Sequence, residues 1–473
     1  MRWLAALALG GAAGLFPAMA EGPPAPPPGA PAVSAEALPA PAGNALLEAA
    51  YQDDLAAVRR LILAGAPVGQ ANRFGATPLA LACQNGNSGM VALLLEAGAE
   101  ANTTSAGGET VLMTAARTGN AECVKALLGR GAMVDAKERH GQTALMWAAA
   151  AGHATVVEIL LGAGADFRTP LKSGFTPLLF AVREGRREVV RVLRQAGADI
   201  NEAARPDKSG GRHLRAGTAA LMLAVENAHF ELALDLVKAG ADVNDQRSGF
   251  TPLHAVTWAR RTQRGDGEDG NPPPAGSGNV TSLDFVRAMV PAGAKVNAGL
   301  EKGSGGGGKL NSKGATPFLL AAETDDLELL KVLHSLGADP SLANADGCPP
   351  LLAACGIGVT APGEEPGSEA DALATVNWLL DLGADINAVD QRGETAMHGA
   401  AYKLSPKLVE LLDQRGADVM VWNRKNRSGW TPLLIAQGFR QGNFRPIAEM
   451  EEVIARVMRA RGIEPPPAPA RQP

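Results

Sequence analysis

Gly174-Phe175-Thr176-Pro177-Leu178 is the fullest copy of a unit that recurs along almost the whole chain. Ten glycines stand two residues ahead of a repeating anchor, which falls at Asn44, Thr77, Thr110, Thr143, Thr176, Ala219, Thr251, Thr316, Pro349, Thr395 and Thr431. The first five anchors are 33 residues apart. Self-similarity at such a fixed period is the mark of a repeat architecture, in which each unit stacks on its neighbours. A second mark, Gly-Ala, begins 21 residues after each of the first five anchors, from Gly65-Ala66 to Gly197-Ala198.

Two short helices fit between the marks. A Thr at the anchor can cap a helix through its hydroxyl, and Asn44 is expected to do the same. Pro one residue later suits the first turn, where its missing N–H has no partner to lose. Gly near the second mark takes the left-handed conformation that ends a helix. In the fourth unit, Ala144 to Ala151 reads as a small-residue helix and Gly152-His153 as a turn. Val156, Val157, Ile159, Leu160 and Leu161 then form the apolar face of a second helix. One such pair is too small to bury that face alone.

These residues resemble the ankyrin repeat, whose pattern runs Gly-x-Thr-Pro-Leu-His, then Gly-His, a Val-Val and Leu-Leu helix, and Gly-Ala-Asp. Gly249 to His254 carries the first part, Gly152-His153 with Val156-Val157 the second, and Gly197-Ala198-Asp199-Ile200-Asn201 the third. The resemblance implies a mainly α solenoid of about eleven helix-turn-helix repeats joined by short β-hairpin or loop fingers. It covers residues 41–463, with repeats starting near 41, 74, 107, 140, 173, 216, 248, 313, 346, 392 and 428. Ala219 and Pro349 depart from the capping Thr, and Arg461-Gly462-Ile463 replaces the closing Gly-Ala-Asp. His254 and His398 match the family's structural His, and His153 and His229 match the Gly-His turn.

Residues 1–20 read as a secretion signal: Arg2, an apolar core from Leu4 to Phe16, and small residues at Ala18-Met19-Ala20. That core is shorter than the roughly 20 residues a membrane-spanning helix needs. Residues 21–40 and 464–473 are Pro-rich, a linker and a tail. Ala, Gly and Pro are abundant and Arg outnumbers Lys, as in a GC-rich bacterial gene, so an exported, periplasmic or secreted protein is expected. The formal net charge of −5 offers no global basic face for nucleic acid.

The chemistry-bearing residues form no catalytic set. Four cysteines lack zinc-ligand spacing. Cys348 and Cys355 are too far apart along one helix to bridge, and whether Cys83 and Cys123 pair is left open. Gly303 and Gly308-Lys309 imitate a phosphate loop, but Leu310 stands where a metal-binding Ser or Thr is required. Arg264-Gly265-Asp266 and the acidic stretch Asp266 to Asn271 complete no motif. No cofactor and no metal are expected.

The breaks in period are more informative. The Gly-Ala mark is late after Thr251, Pro349 and Thr431, so repeats seven, nine and eleven lengthen the loop between their helices. The insertions near 260–280 and 357–371 belong here, and they are expected on the edge away from the fingers. Those near 202–215 and 300–312 lengthen fingers instead.

The resemblance implies a monomeric, non-enzymatic scaffold that binds a protein through its fingers and concave face. Carried over by offset, the partner-facing residues are the aromatics Phe175, Phe250, Trp258, Tyr402 and Trp430. Beside them come the basic residues Lys172, Arg183, Arg215 and Arg247, and Arg139 with His140 on a finger. Arg73 and Arg427 extend the basic stripe. Exposed aromatics are common interface anchors. The alternatives are binding of an acidic envelope polymer through that stripe and, with less support, an enzyme built on the insertions.

Overall fold

The computed structural model describes residues 42–208, 213–261, 274–303, 309–363, 365–440 and 445–467. The expected signal, the linker, the end of the tail, Arg264-Gly265-Asp266 and most of the glycine run after Gly303 lie outside the described residues. The chain divides into two compact units, Met1–Ile200 with Ala204–Ala216, and Asn201–Ala203 with Gly217–Pro473.

In the first unit the helices come in five pairs: α1 (Ala42–Tyr51) with α2 (Leu55–Leu63), α3 (Pro78–Asn85) with α4 (Ser88–Glu96), α5 (Val111–Thr118) with α6 (Ala121–Gly129), α7 (Ala144–Ala151) with α8 (Ala154–Gly162), and α9 (Pro177–Arg183) with α10 (Arg187–Gln195). First helices stack on first helices and second on second, so α5 packs on α7 while α6 packs on α8. Leu112, Met113, Leu145, Val156, Val157 and Leu160 are all but fully buried between them. The burial is shared by neighbouring repeats, which is why no pair stands alone.

The second unit continues with α11 (Ala220–Glu226) and α12 (Phe230–Lys238), α13 (Pro252–Arg260) and α14 (Ser282–Met289), α15 (Pro317–Glu323) and α16 (Leu327–Ser335), α17 (Pro350–Cys355) and α18 (Glu369–Asp381), α19 (Ala396–Lys403) and α20 (Pro406–Gln414). A short α21 (Val419–Trp422) sits in a finger before α22 (Pro432–Ala436) and α23 (Ala448–Ala460). The eleven expected pairs are therefore present. The lengthened loops fall between the two helices of repeats seven, nine and eleven, as the late Gly-Ala marks require.

The anchor chemistry is literal. The hydroxyls of Thr77, Thr110, Thr143, Thr176, Thr316 and Thr431 each accept the backbone N–H three residues on, at 3.1 to 3.4 Å. Ala219 and Pro349 start their helices without a side-chain cap. Asn44 lies inside α1, which begins at Ala42, and not at its start. At Thr251 and Thr395 the hydroxyl instead meets Nδ1 of His254 and His398 at 2.8 and 2.9 Å. Nε2 of each ring donates to a carbonyl of the next finger, Ala315 and Trp430. Burial drives both rings to about 4, so they stay neutral at physiological pH.

Of the two expected finger forms, β-hairpin or loop, the described fingers take the loop form. Among the described residues the only bridge is Thr104 with Thr110, and no strand forms. Several fingers are closed by a polar side chain five residues before the anchor, whereas Leu171 and Leu214 hold that position ahead of Thr176 and Ala219. Asn72 accepts from the backbone of Phe74 and Ala76, Asn344 from Asp346 and Cys348, Asp390 from Arg392 and Glu394, and Asn426 from Ser428 and Trp430. A single side chain satisfying two amides makes a tight turn and leaves none for a ladder.

The inter-helix turn places the ninth residue after the anchor in the left-handed region. Gly86, Gly119, Gly152 and Gly185 occupy it in four repeats, but Asp53, Ala228, Asp325 and Leu404 occupy it in four others. A side chain there costs roughly 1–2 kcal/mol. Ala228→Gly is therefore expected to raise stability by about 1 kcal/mol, since it removes the Cβ and keeps the turn. Denaturant unfolding checks this, and a fall in midpoint would contradict it.

Candidate partner-binding surface

Along the first helices of repeats three and four, the positions four, seven and eight after the anchor escape burial, because the three, five and six positions turn into the stack; position four is buried in repeat two and in repeats five to eleven. In the first unit this line runs through Thr114, Arg117 and Thr118 of α5, Trp147, Ala150 and Ala151 of α7, and Arg183 of α9. The Arg117 guanidinium lies 5.3 Å from the Trp147 ring centre. Trp147 Nε1 donates to Gln142 Oε1 at 2.8 Å, which fixes the indole on the finger of its own repeat. No acidic side chain pairs with Arg117 among the described residues, so a cation held on an aromatic face is presented with its charge uncompensated.

Arg139 and His140 stand exposed at the tip of that same finger, Arg139 Nε 3.0 Å from His140 Nε2. Lys172 is exposed on the following finger, and its carbonyl accepts from Asp207 N and faces His213 Nδ1. Arg183 is half-buried and paired with Glu184 at 2.8 Å. Arg215 is exposed.

Phe175 departs from its expected place in the groove. It is 6% exposed and stacks on Phe180 at 4.8 Å, with Arg183 covering both rings. The reason is local: Phe180, four residues after Thr176, supplies a second ring to which Phe175 turns inward. The same offset carries Trp147 in repeat four, where no finger aromatic covers it.

In the second unit, Phe250 and Trp258 form a half-buried T-shaped pair at 4.7 Å. Arg247 is engaged by both Asp245 oxygens of its own finger and by the Asn201 carbonyl of the preceding one. Tyr402 is only 9% exposed, contrary to its expected exposure. Its hydroxyl donates to Glu394 at 3.1 Å, Arg440 lies over its ring at 5.1 Å, and the Ile357–Thr360 segment covers it. Trp430 is half-buried beside that segment.

That segment comes from the repeat-nine insertion, which was expected on the edge away from the fingers. It turns back instead: Gly358 abuts Leu310 at the base of the repeat-eight finger, and Arg440 from the repeat-eleven insertion donates to the Val359 carbonyl at 2.7 Å. Beneath the insertions lies a chain of charges. Arg260 pairs with Asp326 at 2.6 Å, Arg261 with Asp371 at 3.4 Å, and Lys403 with Asp325 at 2.6 Å. Burial pushes Asp325 up to about 6, against the pull of Lys403. The first-helix face of repeats nine to eleven is thus partly filled by the protein's own chain, whereas no described segment fills the Arg117–Trp147 face.

Charge divides between the units as well. Residues 42–200 and 204–216 hold 19 Lys and Arg against 15 Asp and Glu, although the whole chain is acidic. The four cysteines are free and buried. Burial holds Cys83 well above the ordinary thiol range and Cys123 up to about 11, so neither is a thiolate nucleophile. Among the described residues no three His, Cys, Asp or Glu gather as metal ligands, and no helix is long and apolar enough to cross a membrane.

Stacked helix pairs with turn-like fingers, present in each unit, define a helical repeat module. The chain belongs to the ankyrin-repeat family: the family model "Ankyrin repeats" matches residues 46–138, 133–204 and 368–445, together about half of the chain. It is 41% identical over 64 residues to Ankyrin repeat protein 14 of Vaccinia virus (strain Western Reserve), 14% of this chain and 26% of that one. It is 30% identical over 114 residues to human Ankyrin repeat and SOCS box protein 6, 22% of this chain and 27% of that one. It is 31% identical over 126 residues to the Probable 26S proteasome regulatory subunit p28 of Saccharomyces cerevisiae (strain ATCC 204508 / S288c), 27% of this chain and 50% of that one. The chain spans about a quarter to a half of the length of these relatives. Ankyrin repeats are in general protein–protein interaction modules.

Proposed function

We propose that this chain is an exported, non-enzymatic scaffold whose first unit holds an acidic segment of a partner protein along the first helices of repeats three to five. The observation that carries this reading is Arg117 stacked on Trp147 with no acid opposite it. The exposed Arg139, His140 and Lys172 on the adjoining fingers widen the same cationic strip. An aromatic anchor beside unpaired cations favours a carboxylate-bearing chain with apolar side chains, because the ring supplies desolvated area and the guanidinium direction.

The test is capture of a partner from envelope extract by full mature chain, followed by its binding to variants. Trp147→Ala and Arg117→Glu are each expected to weaken that partner by about tenfold or more. Unchanged binding by both would place the contact elsewhere. The excess of basic residues in the first unit also favours the acidic-polymer reading. Salt separates the two: polymer binding should collapse by roughly 0.3 M, while an aromatic-anchored protein contact mostly survives. Export is checked by fractionation and N-terminal sequencing, with Glu21 the expected first residue and an intact Met1 on a cytoplasmic protein the contrary result.

A further inference from the structure

A cavity of about 110 Å³ lies in the second unit between the Ile357–Thr360 segment and the fingers of repeats ten and eleven. Glu394 lines it and is 8% exposed. Its Oε1 accepts from the Tyr402 hydroxyl at 3.1 Å and from Asn426 Nδ2 at 2.9 Å, while Oε2 has no partner. An unmade bond on a buried carboxyl is costly, and native structures rarely leave one without a use. Arg392 and Arg427 also line the cavity. Arg392 is paired with Asp346, whereas Arg427 is exposed and no acid engages it among the described residues. Trp430 forms an apolar wall.

We propose that this cleft binds one carboxylate carried on a short aliphatic chain, with Arg427 and Glu394 Oε2 as its polar contacts and the Trp430 ring against its methylenes. The size sets the limit. An engineered cavity of about 150 Å³ takes benzene, so this one takes roughly four or five heavy atoms. Two guanidinium groups set the sign of the ligand and disfavour a cation. Glu394 then has to donate a proton. Burial and the neighbouring Asp390 hold its carboxyl up at about 7, against the opposing pull of the Tyr402 and Asn426 bonds and of Arg392. Arg427 on the next finger and Arg440 behind Tyr402 are the other charges close by. Below about 7 Glu394 is neutral and can donate from Oε2; above it, two carboxylates would face each other.

The experiment is titration calorimetry of the full chain with propionate and, separately, with N-acetylglutamate methylamide, at pH 6 and pH 8.5. Saturable binding at pH 6 that weakens by about tenfold or more at pH 8.5 is expected. Arg427→Ala, a surface change, should lose about tenfold at both pH values. Glu394→Gln keeps an acceptor for Tyr402 and Asn426 and donates at any pH, so its affinity should no longer depend on pH. Propionate alone binding points to a free acid, and the blocked glutamate alone to a side chain of a partner; either supports the cleft. No saturable binding of either acid to the folded parent overturns the proposal. So does ethylammonium binding that tightens as pH rises, or an unchanged pH slope in Glu394→Gln.

Discussion

Lys403→Met is expected to destabilise the second unit by about 3–5 kcal/mol at pH 8, because it strips the counter-charge from a buried carboxylate. Lys403 and Asp325 are 9% and 3% exposed at the side chain, 2.6 Å apart, and Lys403 Nζ also donates to the Ala354 carbonyl at 2.8 Å. Asp325 Oδ1 has no other partner. The pH dependence has a definite sign. Asp325 has a folded value of about 6, above its ordinary 3.8. Its contribution is therefore complete below about 4 and declines as pH rises through about 6. In Lys403→Met that value rises further, so the deficit against the parent should be full at pH 8 and much smaller at pH 4, where Asp325 is protonated in both. Adding Asp325→Asn to Lys403→Met should recover much of the loss, since it removes the stranded charge. Urea unfolding of the three variants at both pH values checks this, and a pH-independent deficit would contradict it.

Phe175→Ala is expected to cost about 3–5 kcal/mol, the usual range for truncating a core aromatic. Three interactions end together: the Phe175 burial, the stack on Phe180, and the cover that Arg183 gives both rings. Stability in a repeat array is local, so the loss should appear as faster amide exchange in α9 and α10 well before α3 and α4 are affected. Retained exchange protection there would show that Phe175 is a surface ring after all. Trp147→Ala gives the contrast. It removes a half-buried ring on an open face, and the partner is expected to register it more than the fold.

The fold was legible in the sequence because its determinants are local. A Thr three residues from the amide it caps, a Pro beside it and a Gly at a left-handed position each leave a mark at fixed spacing, and the 33-residue period follows. What escaped was settled between repeats. Asn102, Asn201, Asn244 and Asn297 each bond a Gly carbonyl and an amide of the next repeat, across 29 to 51 residues of chain. Their spacing of four from the Gly of the Gly-Ala mark was visible, and their role was not. The acceptors five before several anchors were missed because Asn, Asp, Ser and Glu share the position with Leu171 and Leu214. Among candidate site residues, Arg139, His140 and Lys172 stand exposed where offset placed them. Phe175 and Tyr402 do not, because a second ring and an inserted loop cover them. Trp147 was not legible because position four, unlike seven and eight, is buried in most repeats and opens to the surface only where its neighbours leave it uncovered.

The central claim is that the first-helix face of the first unit holds the partner. Photo-crosslinking from single sites tests it most directly, with a photoreactive residue at Ala150 beside Trp147 on that face, or at the exposed Glu158 on the outer helix α8. A discrete partner adduct from position 150, absent from position 158 and suppressed by Arg117→Glu, is the predicted result. Adducts from position 158 with none from position 150 would contradict it.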